Sequence, residues 1–461
     1  MSFVIVLAAL IFLMLVAYRG YSVIMFAPVA ALLAVLFTDP SQVLPMFTGV
    51  FMDKMVGFVK NYFPVFMLGA IFGKVIELSG FSKSIVSSVI HIVGQKRAML
   101  SIVLVCAILT YGGVSLFVVV FAVYPFAAEM FRQGDIPKRL IPGTIALGAF
   151  TFTMDSLPGS PQIQNIIPTT FFKTNTYAAP WLGIVGSIFI LIVGLVYLDW
   201  RRRQAAAKGE GYGTNLVNEP EPFEHEKLAN PWIAILPLVV VGVLNKVFTV
   251  LIPQAYGSSF TLPLPGHPVT VQIGSVSAIW AVEGALLVGI LTVLAFAFKP
   301  VMAKFADGTK AAVAGSLLAS MNTASEYGFG GVIAALPGFI VVADALKAIP
   351  NPLINEAITV TTLAGITGSA SGGMSIALAA MSDTFIQAAN AAHIPLEVLH
   401  RIASMASGGM DTLPHNGAVI TLLAVTGLTH RTSYGDIFAV TCIKTAAVFV
   451  VITFFYLTGI Y

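Results

Sequence analysis

The sequence has few charged residues and almost no cysteine. Asp, Glu, Lys and Arg make up 10% of its 461 residues, whereas about a quarter of a soluble globular protein is charged. Its two cysteines, Cys106 and Cys442, lie inside apolar runs, where a thiol packs as a small hydrophobic group. The low content of charged residues argues against a soluble domain, and the low content of cysteine argues against a disulfide framework and a metal site. The net charge of +3 does not indicate a nucleic-acid partner, because the basic residues lie at the edges of apolar runs, and we expect no cofactor.

Apolar runs dominate instead, and 57% of the residues are hydrophobic. Runs of membrane-spanning length extend over 2–17, 21–37, 62–80, 178–199, 231–251, 276–298 and 435–459. A helix of about 20 apolar residues crosses the hydrocarbon core of a bilayer. The sequence therefore predicts an all-α polytopic membrane protein. The run 2–17 has neither a basic segment before it nor a small-residue cleavage site after it, so we expect a span rather than a signal peptide.

Short motifs occur twice in the same order, about 256–260 positions apart. They are MDSLP (154–158) and MDTLP (410–414), FGKVI (72–76) and FGGVI (329–333), and GGVS (112–115) and GGMS (372–375). Matches at a nearly constant offset predict an internal duplication. We assign repeat one to 1–200, with scaffold helices in 1–60 and a transport part in 62–199. Repeat two covers 231–461, with scaffold helices in 231–310 and a transport part in 311–461, and 201–230 is a polar linker.

Each repeat is predicted to contain five spans and one re-entrant hairpin. The hairpins cover 98–131 and 353–390, and one span of each repeat is broken, at 140–172 and 402–427; a further span is expected at 328–346. An odd number of spans makes the two repeats inverted. Sixteen Lys and Arg residues then lie on the linker side, while six, including Arg401, lie on the other. This asymmetry places the linker in the cytoplasm and both termini outside a bacterial inner membrane.

Polar, Gly- and Pro-rich breaks interrupt the apolar pattern at four symmetric places. The hairpin tips carry Gly112, Gly113 and Ser115 in repeat one and Ser369, Ser371, Gly372 and Ser375 in repeat two. The broken helices carry Asp155, Ser156 and Ser160, and Asp411, Thr412, His415 and Asn416. Glycine allows close backbone approach and proline ends a helix, so half-helix N-termini can face an anion. The pattern predicts the midplane substrate site of a secondary transporter; the alternative is a set of kinks at helix packing contacts.

These segments also carry a family resemblance. The chain resembles the gluconate permease (GntP) family of the ion-transporter superfamily over nearly its whole length. The shared segments are GKVIELSG (73–80), the Ile-Pro before the first broken helix, SLPGSPQIQNIIPTTFFKTN (156–175), GSAS (368–371) and ASGGMDTLPHNGAV (406–419). The resemblance implies a proton-coupled importer of small hydroxy-carboxylates. It also implies a scaffold and a transport domain that moves as an elevator, and, by analogy with elevator relatives, a homodimer.

The sequence departs from the gluconate branch at three places. LPGSP (157–161) lacks the histidine of a PPHPGP-like first break, and Gly112-Gly113 replaces an acid in the first hairpin. LPHNG (413–417) replaces an NDPG-like turn. These changes favour a shorter hydroxy acid, such as 3-hydroxybutyrate, over a sugar acid with many hydroxyls.

Ionisable residues at membrane depth are costly and indicate function. Asp155, Asp411 and Glu326 are candidates for coupling to protons, or to Na⁺. Each Asp could instead cap a short helix, and Glu326 could reach the interface. His415 suits either substrate contact or proton exchange. Lys74 and Glu77 are expected to pair along one helix face, and Glu283 and Lys444 receive no role.

Two other functions fit parts of the pattern. Two intramembrane Asp residues could form an aspartyl protease dyad that shares one proton, but the duplication suits a transporter better, and we expect no enzyme activity. A channel is the third possibility, although paired hairpins around a central site favour alternating access.

Overall fold

The computed structural model describes residues 2–19, 21–94, 97–114, 116–214, 216–220, 228–266, 268–339, 341, 349–414 and 416–461. The predicted site residues Ser115 and His415 lie outside these ranges. Helices make up most of the described chain. A two-stranded antiparallel ribbon, in which Phe260 pairs with Val271, interrupts them in the loop between two long helices.

The first half of the chain contains the helices up to the linker. They are α1 (Ser2–Tyr18), α2 (Val23–Thr38), α3 (Val43–Met46), α4 (Asp53–Leu78), α5 (Phe81–Val93), α6 (Ala98–Tyr111), α7 (Leu116–Gln133), α8 (Ile141–Ala149), α9 (Phe152–Asp155), α10 (Ile163–Phe172) and α11 (Pro180–Ala207). A 3₁₀ turn (Pro40–Gln42) precedes α3, and a π-helical segment (Phe47–Met52) joins α3 to α4. A second 3₁₀ turn (Lys138–Leu140) precedes α8.

The second half of the chain contains the remaining helices and the two strands. It contains α12 (Pro231–Tyr256), β1 (Ser259–Leu262), β2 (Val269–Gln272), α13 (Ile273–Ala303), α14 (Phe305–Ala335), α15 (Pro352–Thr367), α16 (Ala370–Ala391), α17 (Leu396–Ser407), α18 (Gly417–Thr426) and α19 (His430–Thr458). The pairs α6–α7 and α15–α16 each pack as a helical hairpin. The segments α8–α10 and α17–α18 are the two broken helices.

Among the described residues, five helical segments are long and apolar enough to cross a membrane: Pro40–Leu78, Pro180–Ala207, Pro231–Tyr256, Ile273–Ala303 and His430–Thr458. Leucine, valine and phenylalanine on their outer faces are exposed, as in Leu291 and Phe449, because the surrounding solvent of such a helix is lipid rather than water. The predicted all-α polytopic fold is confirmed.

The span predicted at 328–346 is displaced in the structure. Helix α14 already begins at Phe305 and ends at Ala335, and residues 342–348 lie outside the described chain. The helix is rich in Ala, Ser, Thr and Gly rather than Leu, so hydrophobicity did not show it. Its small residues serve close packing: Gly328 lies against Phe51 and Gly331 against Lys54.

Continuous helices also cross two of the predicted domain boundaries. Helix α4 runs through residues 60–62, and α14 runs through 310–311. The two helices pack against each other, α4 contacts α13, and α14 contacts α2.

The polar linker begins later than predicted, because α11 continues to Ala207 and includes Arg201 to Arg203. Part of the linker is attached to the helix ends nearby. Asn218 donates to the carbonyl of Ala424 (2.9 Å), and Glu219 accepts ion pairs from Arg132 (2.5 Å) and Lys138 (2.6 Å). Arg132 and Lys138, two of the basic residues predicted to face the linker side, therefore lie against the linker.

Candidate functional site

The first break separates the short helix α9 from α10. Asp155 is the last residue of α9, and Pro158, Gly159 and Pro161 follow before α10 begins at Ile163. Gly159 adopts φ +80°, and a side chain at this position would overlap the ring of Tyr177. The break therefore requires glycine, and it points the end of α9 into the protein interior.

Asp155 and Asp411, one from each break, meet at a lysine that has no sequence-based role. The Nζ of Lys444 lies 2.8 Å from Oδ2 of Asp155 and 3.9 Å from Oδ1 of Asp411. It also donates to the carbonyl of Phe150 (2.7 Å). Lys444 and Asp155 are 2% and 0% exposed. We call these three residues the Asp–Lys–Asp triad.

Lys444 could have been anticipated from α19 alone. This helix of 29 residues is long and apolar, and a cation at membrane depth needs an anionic partner. The sequence does not show which acid is that partner, because Asp155 and Lys444 are 289 positions apart. Asp155 and Lys444 come into contact only in the folded protein. Gly408 lies directly against both side chains, so no larger residue fits between them.

The helix-capping alternative for the two aspartates is wrong. Helix α18 begins at Gly417, and its cap is Asn416, whose side chain accepts from the N–H groups of Ala418 (2.7 Å) and Val419 (3.2 Å). Asp155 ends α9 rather than beginning a helix. A lysine between the two carboxylates also differs from a protease dyad, in which carboxyl groups share a proton directly.

Arg401, predicted to lie on the outer side of the membrane, is instead completely buried. Its guanidinium donates to the carbonyls of Ala178 (2.8 Å) and Asp155 (2.9 Å) and to Oδ1 of Asn165 (3.0 Å). Counting basic residues near helix ends assigns a side and not a depth, which explains the error. Arg401 binds the non-helical backbone of the first break, which has no helical partner for these carbonyls.

Both breaks are attached to their own hairpin tips by an equivalent hydrogen bond. Nε2 of Gln162 donates to the carbonyl of Thr110 (2.7 Å), and Nδ2 of Asn416 donates to that of Gly368 (2.7 Å). Thr110 and Gly368 are 258 positions apart, the spacing of the repeated motifs. The duplicated sequence thus has a duplicated contact.

The first hairpin tip faces helices of the second half. Gly112 lies against Leu238 of α12, and Gly113, at φ +94°, lies against Leu286 of α13. Both glycines are buried. In this conformation they serve close helix packing and do not line an open site.

The two predicted serines of the first break bond locally. Ser156 donates to Oδ1 of Asp155 (3.0 Å), and Ser160 donates to the carbonyl of Thr153 (2.7 Å). Both are fully buried. Ser156 therefore supports the triad, while Ser160 holds the shape of the turn.

The second hairpin tip is more open. Ser369, Ser371 and Asn416 are half-buried. The hydroxyl of Ser371 lies 3.2 Å from that of Thr323 on α14. The carboxylate of Glu326, one turn further along α14, packs against the backbone of Gly372, where a β-carbon would overlap it. Glu326 therefore lies buried at the hairpin tip rather than at a water interface.

Several polar atoms are buried without hydrogen-bond partners among the described residues. Those of predicted site residues include the hydroxyl of Ser375, Oε2 of Glu326, Oδ2 of Asp155 and Oδ1 of Asp411. Both carboxylate oxygens of Glu356 also belong to this group. The sequence analysis did not identify Glu356. This residue lies near the start of the second hairpin, where an acidic residue is typical of a helix end. Thr412 pairs with the hydroxyl of Thr441 on α19.

The structure thus brings together two sets of predicted residues. Asp155, Ser156, Asp411 and Thr412 surround Lys444, and Ser369, Ser371, Gly372, Glu326 and Asn416 surround the second hairpin tip. Gly112, Gly113 and Ser160 lie apart from both, in packing contacts. The bond from Asn416 to Gly368 connects the second break to the second tip.

Comparison with known proteins agrees with a transporter. No family model matches the chain, so membership of the gluconate permease family is not confirmed. The chain is 59% identical to the "uncharacterized transporter YxjC" of Bacillus subtilis (strain 168), over the full length of both. Its fold is similar to the crystal structure of the Alcanivorax borkumensis YdaH transporter, described as having an unusual topology, with a TM-score of 0.54 at 16% identity and coverage of 86% and 85% of the two chains. The chain belongs to the transporter family that includes YxjC.

Proposed function

We propose that the protein is a secondary active transporter that imports a small organic carboxylate together with protons, with a short hydroxy acid such as 3-hydroxybutyrate as the substrate. The observation that carries the proposal is the Asp–Lys–Asp triad. It places two carboxylates from the two symmetric breaks around one ammonium group, inside an apolar bundle. Buried ionisable groups of this kind mark proton relays in membrane transporters.

The second hairpin tip is the proposed substrate site. Ser369, Ser371 and Asn416 offer neutral polar groups at a half-buried position, and the N-terminus of α16 adds a positive dipole end. Asn416 is already engaged by α18 and Gly368, so its part is to hold the tip in place. Neutral donors can bind a carboxylate and release it again, which a transport cycle requires.

We further propose that transport proceeds by an elevator movement of the hairpins and broken helices against α1, α2, α12 and α13. The internal bonds from Gln162 to Thr110 and from Asn416 to Gly368 hold each hairpin to its break. The contact between the first tip and α12 is made by glycine against leucine. This apolar contact suits sliding, whereas the hydrogen bonds of Asn245 on α12 to the carbonyl of Gly159 (3.1 Å) and to Thr176 (3.3 Å) would have to break during the movement.

Uptake into liposomes tests the proposal. The purified protein is reconstituted with a neutral interior, and labelled 3-hydroxybutyrate is added at about pH 5.5 or 7.5 outside. Proton-driven import predicts accumulation only with the acidic exterior, and abolition by a protonophore. A thermal-shift screen of short carboxylates at both pH values identifies the substrate class, since a ligand of the folded state raises stability. Absence of uptake and of stabilisation for every carboxylate would contradict the proposal.

Coupling to Na⁺ is the alternative, and the surroundings of Glu326 favour it. This buried carboxylate packs against Gly372 at the hairpin tip, next in sequence to Ser371, whose hydroxyl pairs with that of Thr323. Hard cations prefer such oxygen ligands. An imposed Na⁺ gradient at constant pH decides between the two. Uptake driven by that gradient and lost in Glu326→Gln would support sodium.

A further inference from the structure

The two carboxylates of the triad are held unequally. Asp155 lies in direct contact with Lys444 at 2.8 Å and accepts from the hydroxyl of Ser156. Asp411 lies at 3.9 Å from the same ammonium, beyond hydrogen-bond distance. Asp155 and Lys444 are thus a formed ion pair, while Asp411 is a third charge beside it.

We infer that Asp411 is the group that takes up and releases the coupled proton, and that Asp155 and Lys444 remain a fixed ion pair throughout the cycle. This inference rests on the proposed function and names the residue that performs its coupling step. The two aspartates of the duplicated motif therefore have different roles, although their sequence contexts are nearly identical.

Exposure distinguishes the two aspartates in the same direction. The side chain of Asp411 is 9% exposed and that of Asp155 is 0% exposed. Asp411 is therefore the more accessible of the two carboxylates.

The net charge of the triad explains why a proton on Asp411 accompanies the substrate. With both aspartates ionised, the triad carries one negative charge. Binding of a substrate carboxylate alone adds a second negative charge inside the bundle, which is unfavourable where the dielectric constant is low. Protonation of Asp411 restores a single negative charge. The empty carrier and the loaded carrier then have the same charge, so one proton accompanies each carboxylate and transport is electroneutral.

Other charged and titratable groups lie on the elements around the triad. They are Tyr111 on α6, His400 and Arg401 on α17, Glu356 on α15, and Tyr434 and Asp436 on α19 with its partners Arg139 and Arg201. Arg401 is engaged by backbone carbonyls and Asn165, and Asp436 is paired at the linker end of α19. Glu356 is the one carboxyl among them without a partner in the described residues, so it is the competing candidate and is included in the test.

Infrared difference spectroscopy tests the inference without a substrate. The purified protein is recorded in detergent between about pH 5 and pH 8, and the carboxyl C=O stretch that appears on acidification is compared between variants. We expect Asp411→Asn to remove this band. We expect Glu356→Gln to keep it, together with the surface variant Glu77→Gln, which lies outside the triad on α4. Loss of the band in Glu356→Gln, or its persistence in Asp411→Asn, overturns the inference.

A double variant separates coupling from folding. Asp155→Asn/Lys444→Met removes the fixed pair as a unit and leaves Asp411 as the one ionisable member of the triad. Asp411 is neutral when it is protonated, so the double variant is expected to fold and to retain the band of Asp411. The single variant Lys444→Met leaves two unpaired carboxylates and is expected to be much less stable. A double variant that folds and lacks the band would show that the pair, and not Asp411, takes up the proton.

Transport then distinguishes failure of the inference from failure of the proposed function. With labelled 3-hydroxybutyrate and a pH-sensitive dye inside liposomes, the wild type is expected to move one proton per substrate, with no dependence on membrane potential. Asp411→Asn is expected to lose pH-driven accumulation and to retain counterflow exchange. Proton-coupled uptake that survives in Asp411→Asn refutes the inference alone, whereas a wild type without carboxylate transport refutes the proposed function and leaves the infrared result to decide the role of Asp411.

Discussion

Asp155 and Lys444 come from opposite halves of the chain and form an ion pair at 2.8 Å inside the bundle. The pair connects the first break to the last helix, α19, and the carbonyl of Phe150 adds a second bond to the same ammonium. Arg401 makes a similar connection, from the second broken helix to the backbone of the first break. The two halves are therefore joined by charged groups at the breaks, where helical hydrogen bonds are missing.

Gly408 provides a sensitive test of the triad. Gly408→Ala should lower thermal stability, because the new methyl group overlaps Lys444 and Oδ2 of Asp155. Gly408 has φ −83° and ψ 0°, which alanine adopts without strain, so the effect reports lost space rather than backbone conformation. Overpacking of this kind costs about 1–3 kcal/mol. The melting temperature in detergent is the measurement.

Gly315→Ala is the matched control for this substitution. Gly315 lies within α14 with open space where a β-carbon would be, and alanine is favoured over glycine in a helix by about 1 kcal/mol. The control should therefore be neutral or stabilising. Equal destabilisation of the two variants would show that glycine-to-alanine changes are harmful for a general reason, unrelated to the triad.

Arg401→Gln should be among the most destabilising single substitutions. It removes the guanidinium from buried carbonyls of Ala178 and Asp155 that have no helical partner. Hydrogen bonds to a charged group contribute about 1.5–3 kcal/mol each, and several are lost together. Arg203→Gln, at a side chain that is 74% exposed, should change stability by less than about 0.5 kcal/mol. Denaturation of both variants in detergent compares them directly.

Acidification should weaken the attachment of the linker. A hydrogen bond from Arg139 (2.6 Å) lowers the pKa of Glu210 below its ordinary value of 4.5. A lowered folded-state pKa means that this stabilisation is fully present above about pH 4.5 and is lost as the pH falls through the folded-state pKa.

The wild type should therefore lose more stability than Glu210→Gln when the pH is lowered from about 6 to about 3.5. The difference is small, because Glu210 is 40% exposed and solvent screens the pair. Arg139→Gln should flatten the pH profile as Glu210→Gln does. Melting temperatures across this range measure the effect, and identical slopes in the wild type and Glu210→Gln would contradict it.

Local composition was enough to predict the hairpins and the breaks. Pro158, Gly159 and Pro161 separate α9 from α10, and Gly368 ends α15 in a left-handed conformation, as glycine and proline can. The duplicated motifs indicated that such breaks form pairs. The ion pair of Lys74 with Glu77, at 2.8 Å, was also predicted correctly, since both residues lie on one helix face. These features depend on neighbours in sequence.

Contacts between distant segments could not be predicted in the same way. Lys444 and Arg401 each find partners more than 200 positions away, and one sequence does not show which helix faces another. Helix α14 was displaced because small residues that allow close packing have low hydrophobicity. The second hairpin tip is more open than the buried first tip. The two tips have similar sequences, so the sequence does not show which of them is open.

The proposed elevator movement predicts a compensating pair of substitutions at the first hairpin tip. Gly112 lies against Leu238 of the scaffold helix α12, and a methyl group at Gly112 overlaps that leucine. Gly112→Ala should therefore disfavour the present conformation more than any other in which the tip has moved away. Leu238→Ala opens space at the same contact, and the double variant should return towards the wild-type equilibrium.

Hydrogen–deuterium exchange of α6 and α12 measures this shift, with Gly242→Ala on α12 as the control, because Gly242 has open space around its Cα. We expect faster exchange at the contact in Gly112→Ala, wild-type exchange in Gly242→Ala, and recovery in Gly112→Ala/Leu238→Ala. Contacts that couple in this way show non-additive effects, whereas independent sites add. If the effects of the two substitutions on exchange simply add, the tip and α12 do not separate as a unit. That result would contradict the proposed elevator movement at this surface.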